Sequence, residues 1–357
     1  MIREGDYMFE NKTIFITGVA GFIGANLALK LLKDQEQVHI VGVDNMNDYY
    51  DVSIKEFRLK EIETLVANSK SSFKFIQGDL GDKALIDGIF ESYHPNIVVN
   101  LAAQAGVRYS IENPYAYVNS NLVGFMNILE GCRHFPVEHL VYASSSSVYG
   151  SNEKVPYSVE DQVDNPVSLY AATKKSNELL AHAYSKLYEI PSTGLRFFTV
   201  YGPAGRPDMA YFGFTNKLLQ GETIKIFNFG DCKRDFTFID DIVEGVSRVM
   251  AKPPEKKIGK DGLPLPAYKI YNIGNSNPEN LLDFVDILQE ELVLAGVLPE
   301  DFDFDSHKAL VPMQPGDVPI TFADTSALEA DFGFKPSTPL REGLRAFAQW
   351  YKVFYKI

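Results

Sequence analysis

The stretch Thr13–Gly24, which reads TIFITGVAGFIG, decides the fold of this chain. Its first five residues are rich in isoleucine, threonine and phenylalanine, the composition of a buried β-strand. A turn with glycine at positions 18, 21 and 24 follows directly, and Phe22–Lys33 has the apolar spacing of a helix. Glycines at a strand-to-helix turn let the backbone approach a phosphate group, which the unpaired N–H groups of the helix then bind. The stretch therefore predicts a strand, an anion-binding loop and a helix, in that order.

The first half of the chain repeats this alternation of short apolar runs and helical patterns. Further strands are predicted at Val38–Val43, Phe73–Ile76, Ile97–Leu101, Leu140–Ala143 and Thr193–Phe198. Further helices are predicted at Ile54–Ala67, Lys83–Ser92, Tyr115–Arg133 and Leu169–Tyr188. Strands that alternate with helices pair in parallel and are covered on both faces. The predicted fold class is therefore α/β, a Rossmann-type doubly wound parallel sheet.

An acidic residue at the end of the second strand extends the prediction from a phosphate to a dinucleotide. Asp44 follows the last glycine of the loop by about 20 residues, and a carboxylate there accepts hydrogen bonds from ribose hydroxyls. It also repels a 2′-phosphate, so NAD is predicted rather than NADP. The carboxyl ends of the following strands carry the remaining candidates, because ligands bind there in such sheets. The predicted cofactor-binding residues are Gly18, Gly21, Phe22, Ile23, Gly24, Asp44, Asn45, Asn47, Asp79, Leu80, Leu101, Ala102, Ala103 and Gln104.

The second half of the chain is predicted to add a smaller α/β lobe. Helical patterns recur at Phe212–Gln220, Asp241–Met250, Leu281–Leu294 and Leu340–Tyr355, and Lys252–Pro266 has the composition of a surface loop. We predict that residues 10–200 form the NAD-binding domain, to which parts of 236–275 return. Residues 201–357 are predicted to form most of a substrate lobe that completes a ligand cleft.

A tyrosine and a lysine four residues apart form the candidate catalytic pair. Tyr170 and Lys174 share one face of a predicted helix, so the phenol and the ammonium reach into the same space. A free tyrosine has a pKa of about 10. A nearby lysine, together with a positively charged nicotinamide, lowers it toward the range of a general base, so both residues are also predicted to contact the cofactor. Serines at the end of the fifth strand offer hydroxyls that relay a substrate proton, and both Ser145 and Ser147 are candidates.

The composition argues against several classes of partner. The chain has 357 residues and a formal net charge of -13, and an acidic chain repels nucleic acid and anionic membrane surfaces. Neither is predicted as a partner. The two cysteines, Cys132 and Cys232, form no zinc motif, and no metal is predicted. The N-terminal sequence MIREGDYMFENKT lacks the apolar core of a signal peptide, so a cytoplasmic protein is expected.

As a set, the motifs of this chain are specific to one protein family. They are TGVAGFIG (17–24), GDL (78–80), NLAA (100–103), SSSSVYG (144–150), YAATK (170–174) and RDFTFIDD (234–241). Together with Asp44 they resemble the extended short-chain dehydrogenase/reductase family, in particular its NAD-dependent nucleotide-sugar epimerases and dehydratases. The resemblance covers nearly the whole chain after residue 10. It implies NAD as the cofactor, a UDP-sugar as the substrate, and a homodimer formed through two long helices of each subunit.

Departures from the family's motifs narrow the reaction. Ser145–Ser147 stand where 4,6-dehydratases carry Thr-Asp-Glu, and UDP-glucuronate decarboxylases usually keep a glutamate at the third of these places. The resemblance therefore favours C4 epimerisation through a 4-keto sugar. The stretch 196–210, RFFTVYGPAGRPDMA, resembles UDP-glucuronate 4-epimerases, in which the residues at the places of Thr199 and Arg206 bind the sugar carboxylate. A guanidinium suits that role because it offers a carboxylate two parallel hydrogen bonds.

Further cations and loops complete the predicted substrate site. The predicted substrate-binding residues are Arg108, Ser145, Ser146, Ser147, Thr199, Arg206, Lys217, Phe229, Arg234 and Asp317. By resemblance, Arg234 binds a diphosphate of the nucleotide sugar and Met313–Asp317 closes the nucleotide site, although Gln314 stands where related epimerases often have arginine. Three alternatives stay open: an epimerase of UDP-glucose or UDP-N-acetylglucosamine, a UDP-glucuronate decarboxylase, and a catalytically inactive NAD-binding regulator.

Overall fold

The structure is a computed structural model that describes residues 9–67, 69–259, 262–313 and 317–357, so the predictions for the first eight residues and for Gln314 lie outside the described residues. The strands are β1 (Thr13–Thr17), β2 (His39–Asp44), β3 (Ser72–Gln77), β4 (Ile97–Asn100), β5 (His139–Ser145), β6 (Ser192–Phe197), β7 (Thr199–Tyr201), β8 (Ile224–Ile226), β9 (Lys233–Phe238), β10 (Lys257–Ile258), β11 (Pro264–Leu265), β12 (Tyr268–Ile273), β13 (Pro278–Asn280) and β14 (Lys308–Leu310). The α-helices are α1 (Phe22–Asp34), α2 (Val52–Val66), α3 (Lys83–Tyr93), α4 (Tyr109–Glu112), α5 (Pro114–Tyr117), α6 (Gly124–His134), α7 (Leu169–Tyr188), α8 (Ala210–Leu219), α9 (Ile239–Met250), α10 (Leu281–Leu294), α11 (Ser326–Phe332) and α12 (Leu340–Tyr355). A π-helical segment spans Val118–Val123, and 3-10 helices span Ser146–Tyr149 and Phe227–Gly230.

A seven-stranded sheet with the order β12-β6-β5-β4-β1-β2-β3 forms the centre of the fold. Every neighbouring pair of strands in it is parallel. The strand order reverses between β1 and β4, and ligands bind beside this switch point in open parallel sheets. The predicted fold class, a Rossmann-type doubly wound α/β sheet, is confirmed.

Apolar side chains bury both faces of this sheet. All of β4 is buried, and its neighbouring valines face opposite ways: Val99 belongs to the apolar cluster with α1 and α9, and Val98 to the cluster with α3 and α6. Continuous apolar strands are stable in such a place because helices cover each face. None of the helices in the described ranges combines the length and the apolar character needed to cross a lipid bilayer.

The second half of the chain forms an apolar core of its own around α8, α10 and α12. A three-stranded sheet with the order β13-β9-β7 lies beside this core, and β7 follows β6 after a single residue. The chain then returns to the main sheet, where β12 is the edge strand next to β6. The division of the chain at residue 200 stays a prediction.

Most helices and strands of the large sheet lie within two residues of their predicted bounds, and α7, α10 and α12 begin and end where predicted. The helical stretch predicted over Tyr115–Arg133 is present, but it consists of α5, the π-helical segment and α6 rather than one regular α-helix. The π turn places Asn121 so that its side-chain amide bonds both backbone groups of Gln104, at 2.8 and 3.0 Å. The surface loop predicted at Lys252–Pro266 contains two exposed two-residue strands, β10 and β11, which pair antiparallel.

Candidate active site

Close approaches of the backbone shape the glycine-rich loop. Gly18 has φ +68°, and a Cβ atom there would lie 2.8 Å from the amide nitrogen of Ala102. A Cβ atom at Gly24 would lie 2.2 Å from the carbonyl oxygen of Gly18. The hydroxyl of Thr17 donates to Asn100 Oδ1 at 2.8 Å and accepts from the amide of Ala102 at 3.1 Å, which joins the ends of β1 and β4. The loop therefore leaves the N-terminus of α1 open to a pyrophosphate.

A buried lysine accompanies the predicted ribose-binding carboxylate. Asp44 is 8% exposed at the end of β2, and Lys55 Nζ lies 3.5 Å from its Oδ1. The same ammonium donates to the backbone oxygen and to Oδ1 of Asn47 at 3.0 and 3.1 Å. Asn45 Nδ2 donates to Asp79 Oδ2 at 2.8 Å. The sequence carried no signal for Lys55, because a lysine on a helix ordinarily faces solvent.

One cavity collects all of the predicted cofactor-binding residues. It lies at the carboxyl ends of the central strands and encloses about 1360 Å³ including its open mouth. Its lining includes Gly18, Gly21, Phe22, Ile23, Gly24, Asp44, Asn45, Asn47, Asp79, Leu80, Leu101, Ala102, Ala103, Gln104, Tyr170 and Lys174. The glycine cradle and the carboxylate of Asp44 fit the pyrophosphate and ribose of a dinucleotide. The role of each single residue stays a prediction.

Helix α7 presents the predicted catalytic pair. Its first turn is capped by Ser168, whose hydroxyl accepts from the amide of Ala171 at 3.1 Å. Lys174 is buried, and its ammonium donates to the carbonyl oxygen of Ala143 at 2.8 Å. The same ammonium lies 6.0 Å from the ring centre of Tyr170. Burial lowers the pKa of Lys174 to about 8.

The phenol of Tyr170 lies where burial raises its pKa above the ordinary value. A hydrogen bond with Ser145 and the charge of Arg206 both act in the opposite direction and lower that pKa. A further cation beside the phenol, such as an oxidised nicotinamide, stabilises the phenolate in the same way.

Ser145 and Ser147 form the turn at the end of β5. The hydroxyl of Ser145 accepts from the amide of Ser147 at 3.1 Å and donates to its Oγ at 3.1 Å. Of the two candidate hydroxyls, that of Ser145 is the one that lowers the pKa of the Tyr170 phenol.

A second cavity adjoins the first, and two of the predicted catalytic residues, Tyr170 and Ser145, lie at the junction. It encloses about 1620 Å³ including its open mouth. The residues that line both cavities are Tyr49, Ser145, Tyr170, Phe197, Phe198, Arg206 and Met209. The predicted substrate-binding residues in the lining of the second cavity are Arg108, Ser145, Ser146, Ser147, Thr199, Arg206, Arg234 and Asp317. Ligands in the two cavities would therefore meet at the phenol of Tyr170.

One edge of the Arg206 guanidinium is already paired at this junction. Its Nε donates to Asp208 Oδ1 at 3.0 Å and its Nη2 to Asp208 Oδ2 at 2.5 Å. The hydroxyl of Tyr49 lies 3.4 Å from the same carboxylate, and the Arg206 side chain is 25% exposed. Within the described ranges no residue accepts from Nη1 of Arg206. The Nη1/Nη2 edge therefore remains available to a second carboxylate.

Two further arginines line the second cavity. Arg234 Nη2 donates to Asp317 Oδ1 at 2.7 Å, so these two predicted residues come together although they are far apart in sequence. The guanidinium carbon of Arg108 lies 5.2 Å from the ring centre of Phe227, in a cation–π contact. Both arginines add positive charge to a cavity in an otherwise acidic protein.

The structure does not bring all predicted substrate residues to the two cavities. Lys217 on α8 and the exposed Phe229 line neither of them, and their roles stay predictions. Conversely, the cavity walls include Tyr49, Lys55 and Asp208, which were not among the predicted site residues. Asp208 lies in the quoted arginine stretch and could have been found as a charge partner two residues away. The other two belong to no motif.

Comparison with known proteins assigns this geometry to a family. Residues 14–274 match the NAD dependent epimerase/dehydratase family. The chain belongs to this family. It is 50% identical over 349 residues to protein CapI of Staphylococcus aureus, covering 96% of this chain and 99% of that protein. It is 44% identical over 348 residues to a probable UDP-glucuronate 4-epimerase of Rhizobium meliloti, covering 96% of this chain and 97% of that protein.

A solved structure of the same family is similar over nearly the whole chain. The crystal structure of UDP-glucuronic acid 4-epimerase from Bacillus cereus, in complex with UDP-glucuronic acid and NAD, has a TM-score of 0.80 and 32% sequence identity. The match covers 96% of this chain and 100% of that chain. The family predicted from the motifs, and NAD as its cofactor, are confirmed.

Proposed function

We propose that this protein is a UDP-glucuronate 4-epimerase, which interconverts UDP-glucuronate and UDP-galacturonate. The observation that carries the proposal is the junction of the two cavities, which Tyr170 and Arg206 both line. A sugar that presents its 4-hydroxyl to Tyr170 can present its C6 carboxylate to Arg206 there. NAD, when bound, accepts a hydride from C4 and returns it. The relatives from Rhizobium meliloti and Bacillus cereus support this substrate.

Tyr170 is the proposed proton acceptor for the 4-hydroxyl. Lys174, whose pKa is about 8, is mostly protonated at neutral pH, and its positive charge stabilises the phenolate. Ser145 is the proposed relay, because it lines both cavities together with Tyr170 and lowers the pKa of the phenol. Ser147 lines only the second cavity, and its Oγ lies 3.1 Å from that of Ser145.

Arg206 is the proposed clamp for the C6 carboxylate. Asp208 holds the guanidinium by its Nε/Nη2 edge, so the Nη1/Nη2 edge can form a fork with the substrate. Thr199, which lines the second cavity, can donate its hydroxyl to the same carboxylate. Oxidation at C4 makes a β-keto acid, which loses carbon dioxide when the breaking bond aligns with the carbonyl π system. A firmly held carboxylate prevents that alignment, so the reaction yields the epimer and not the decarboxylated sugar.

Arg234 is the proposed anchor for the diphosphate. Its guanidinium is oriented by Asp317 at 2.7 Å and lines the second cavity. Because the anchor lies on the nucleotide side of the substrate, the oxidised sugar can turn about it and present its opposite face. The hydrogen then returns to that face, which inverts C4.

Incubation of the purified protein with UDP-glucuronate, without added NAD, tests the proposal. We expect UDP-galacturonate as the product, identified by nuclear magnetic resonance, because the cofactor is regenerated in each turnover. UDP-glucose should be a far poorer substrate, since an uncharged C6 group leaves the Arg206 fork without an acceptor. Preferential turnover of UDP-glucose would assign the protein to the neutral-sugar epimerases. A product lighter by carbon dioxide would make it a decarboxylase.

We also propose that the protein is a homodimer, and that the interface includes α5, the π-helical segment and α7. Large apolar side chains of these elements are exposed, namely Tyr115, Val123, Leu179, Leu187 and Tyr188. Exposed apolar side chains of this size are typical of an interaction surface. Sedimentation velocity should give twice the chain mass of 40.0 kDa, and Leu179→Glu should release monomers. A wild-type monomer at all concentrations would contradict this.

A reducing compartment such as the cytoplasm is proposed as well, since Cys132 and Cys232 are buried free thiols.

A further inference from the structure

A buried arginine of α2, Arg58, has no place in the site described so far. It is 2% exposed. Its Nε and Nη2 both donate to the carbonyl oxygen of Ala204, at 3.0 and 2.8 Å, and Nη2 also donates to that of Gly205 at 2.9 Å. Its Nη1 donates to the carbonyl oxygen of Ala20 and to the hydroxyl of Tyr50, both at 2.8 Å. Every N–H group of the guanidinium is therefore used.

The acceptors belong to the two loops that matter most for the ligands. Ala20 lies in the glycine-rich loop between β1 and α1, here called the cofactor loop (residues 18–21). Ala204 and Gly205 lie directly before Arg206, in what we call the clamp loop (residues 202–207). One planar side chain thus joins the loop predicted to hold the pyrophosphate to the loop that carries the proposed carboxylate clamp.

The clamp loop needs such a support because of its backbone conformation. Ala204 has φ +50°, in the left-handed region that is unfavourable for a residue with a Cβ atom. Gly202 has φ +142°. Two of the hydrogen bonds from Arg58 end on the carbonyl oxygen of Ala204 itself. These bonds hold the strained Ala204 in one position. Because Arg206 follows two residues later, they also restrain its backbone.

Among the described residues no acidic side chain pairs with the charge of Arg58, and the acceptors of its hydrogen bonds are neutral. Its guanidinium carbon lies 5.7 Å from the ring centre of Tyr50 and 6.0 Å from that of Phe22. A buried cation that is not paired favours anions nearby. The anions expected on its two sides are the cofactor pyrophosphate and the sugar carboxylate.

We propose that Arg58 is a positioning residue that sets the place of Arg206 by holding the clamp loop against the cofactor loop. The inference rests on the proposed function for the role of Arg206. Because a single guanidinium bridges the loops, the geometry of the cofactor loop determines where the carboxylate clamp stands. Substrate binding and the firmness of the clamp both depend on that bridge.

The substitution Arg58→Lys tests the bridge, because lysine keeps the charge but its single ammonium cannot reach the acceptors of both loops. With saturating NAD in every assay, we expect the KM for UDP-glucuronate to rise at least about tenfold with a smaller fall in kcat. The decarboxylated share of the product should increase, because a displaced clamp no longer restrains the carboxylate. A purely structural role would not change the product. The control is Arg345→Lys, which loses a similar fork to Glu291 between α10 and α12 and should change neither quantity.

A folded Arg58→Lys variant, checked by circular dichroism, with wild-type KM and product composition would overturn the inference. If this variant does not fold, Arg58→Gln, whose shorter amide cannot bond both loops, takes its place and should shift the KM and the product in the same direction. No shift in that variant would also overturn the inference. Failure of the proposed function is separate, since it appears as a wild-type protein that ignores UDP-glucuronate. In that case the NAD that stays bound through gel filtration is compared between wild type and Arg58→Lys. Loss of NAD from the variant but not from wild type supports the bridge, and full retention in the variant contradicts it.

Discussion

The two cavities of this protein are built from different parts of the chain. The first has walls of backbone and small residues from successive strand–helix units, as Gly18, Gly24 and Ala102 illustrate. The second depends on charged side chains from distant segments, such as Arg206 and Arg234. Backbone N–H groups bind a pyrophosphate wherever the chain takes the right shape, so glycines suffice to specify the first site. A carboxylate and a diphosphate on a flexible sugar need placed cations, which only folding brings together.

Tyr170 lies where the two cavities meet. Its phenol should therefore be required for the reaction between the two ligands but contribute little to the binding of either. We expect Tyr170→Phe to lower kcat by about a thousandfold, within the usual range for loss of a general base. NAD should stay bound, as measured in the protein after gel filtration. Tyr184→Phe on the same helix, outside the lining of both cavities, is the matched control. Wild-type turnover by Tyr170→Phe would favour the inactive NAD-binding regulator.

A single methyl group added at a glycine in the wall of the first cavity should disrupt cofactor binding there. Gly18→Ala combines φ +68° with a contact of 2.8 Å to the amide of Ala102, so we expect it to cost about 2–4 kcal/mol of unfolding free energy and to release NAD. Gly221→Ala is the control, because Gly221 has φ +69° but open space around its Cβ position. It should cost only about 1 kcal/mol, measured by urea unfolding. Equal losses in the two variants would show that the close approach is unimportant.

The second cavity should be damaged without harm to the first. Arg206→Ala removes a charge-assisted fork worth about 1.5–3 kcal/mol, so the KM for UDP-glucuronate should rise roughly 10- to 100-fold. We expect UDP-4-keto-pentose among the products, detected by mass spectrometry, and unchanged retention of NAD. Arg206→Lys should recover part of the affinity. If Arg206→Ala bound UDP-glucuronate with unchanged affinity and formed only the epimer, Arg206 would not be the carboxylate clamp.

The pH dependence of the free energy of unfolding tests the burial of Lys174, which lies in the wall of the first cavity. Burial lowers its pKa from 10.5 to about 8 in the folded protein. Between these pH values the unfolded chain binds more protons than the folded one, so this residue makes the protein more stable as pH rises. We expect the unfolding free energy of wild type relative to Lys174→Met to increase by about 2 kcal/mol between about pH 7.5 and 9.5. A constant difference in urea unfolding would contradict this.

Regular elements could be predicted where a local signal marks their ends. Helix α7 begins after the capping hydroxyl of Ser168, and α10 begins after Asn280, whose side chain accepts from the amide of Leu282. The three-residue strands β8 and β14 pair with each other from distant parts of the chain. Such short strands carry no pattern of their own, since their stability comes from the partner. For the smaller α/β lobe the sequence therefore locates the helices but none of the strands.

The sequence by itself determined the doubly wound sheet, the glycine cradle, Asp44 at the second strand, and the Tyr170–Lys174 pair. Each of these depends on residues within one strand–helix unit or one helical turn, where spacing along the chain dictates spacing in space. Only the tertiary structure decided that Ser145, and not Ser147, lines both cavities together with Tyr170. It alone placed Asp208 on one edge of Arg206, and Arg58 between two loops. Those distances depend on how remote segments pack against one another, which no local pattern specifies.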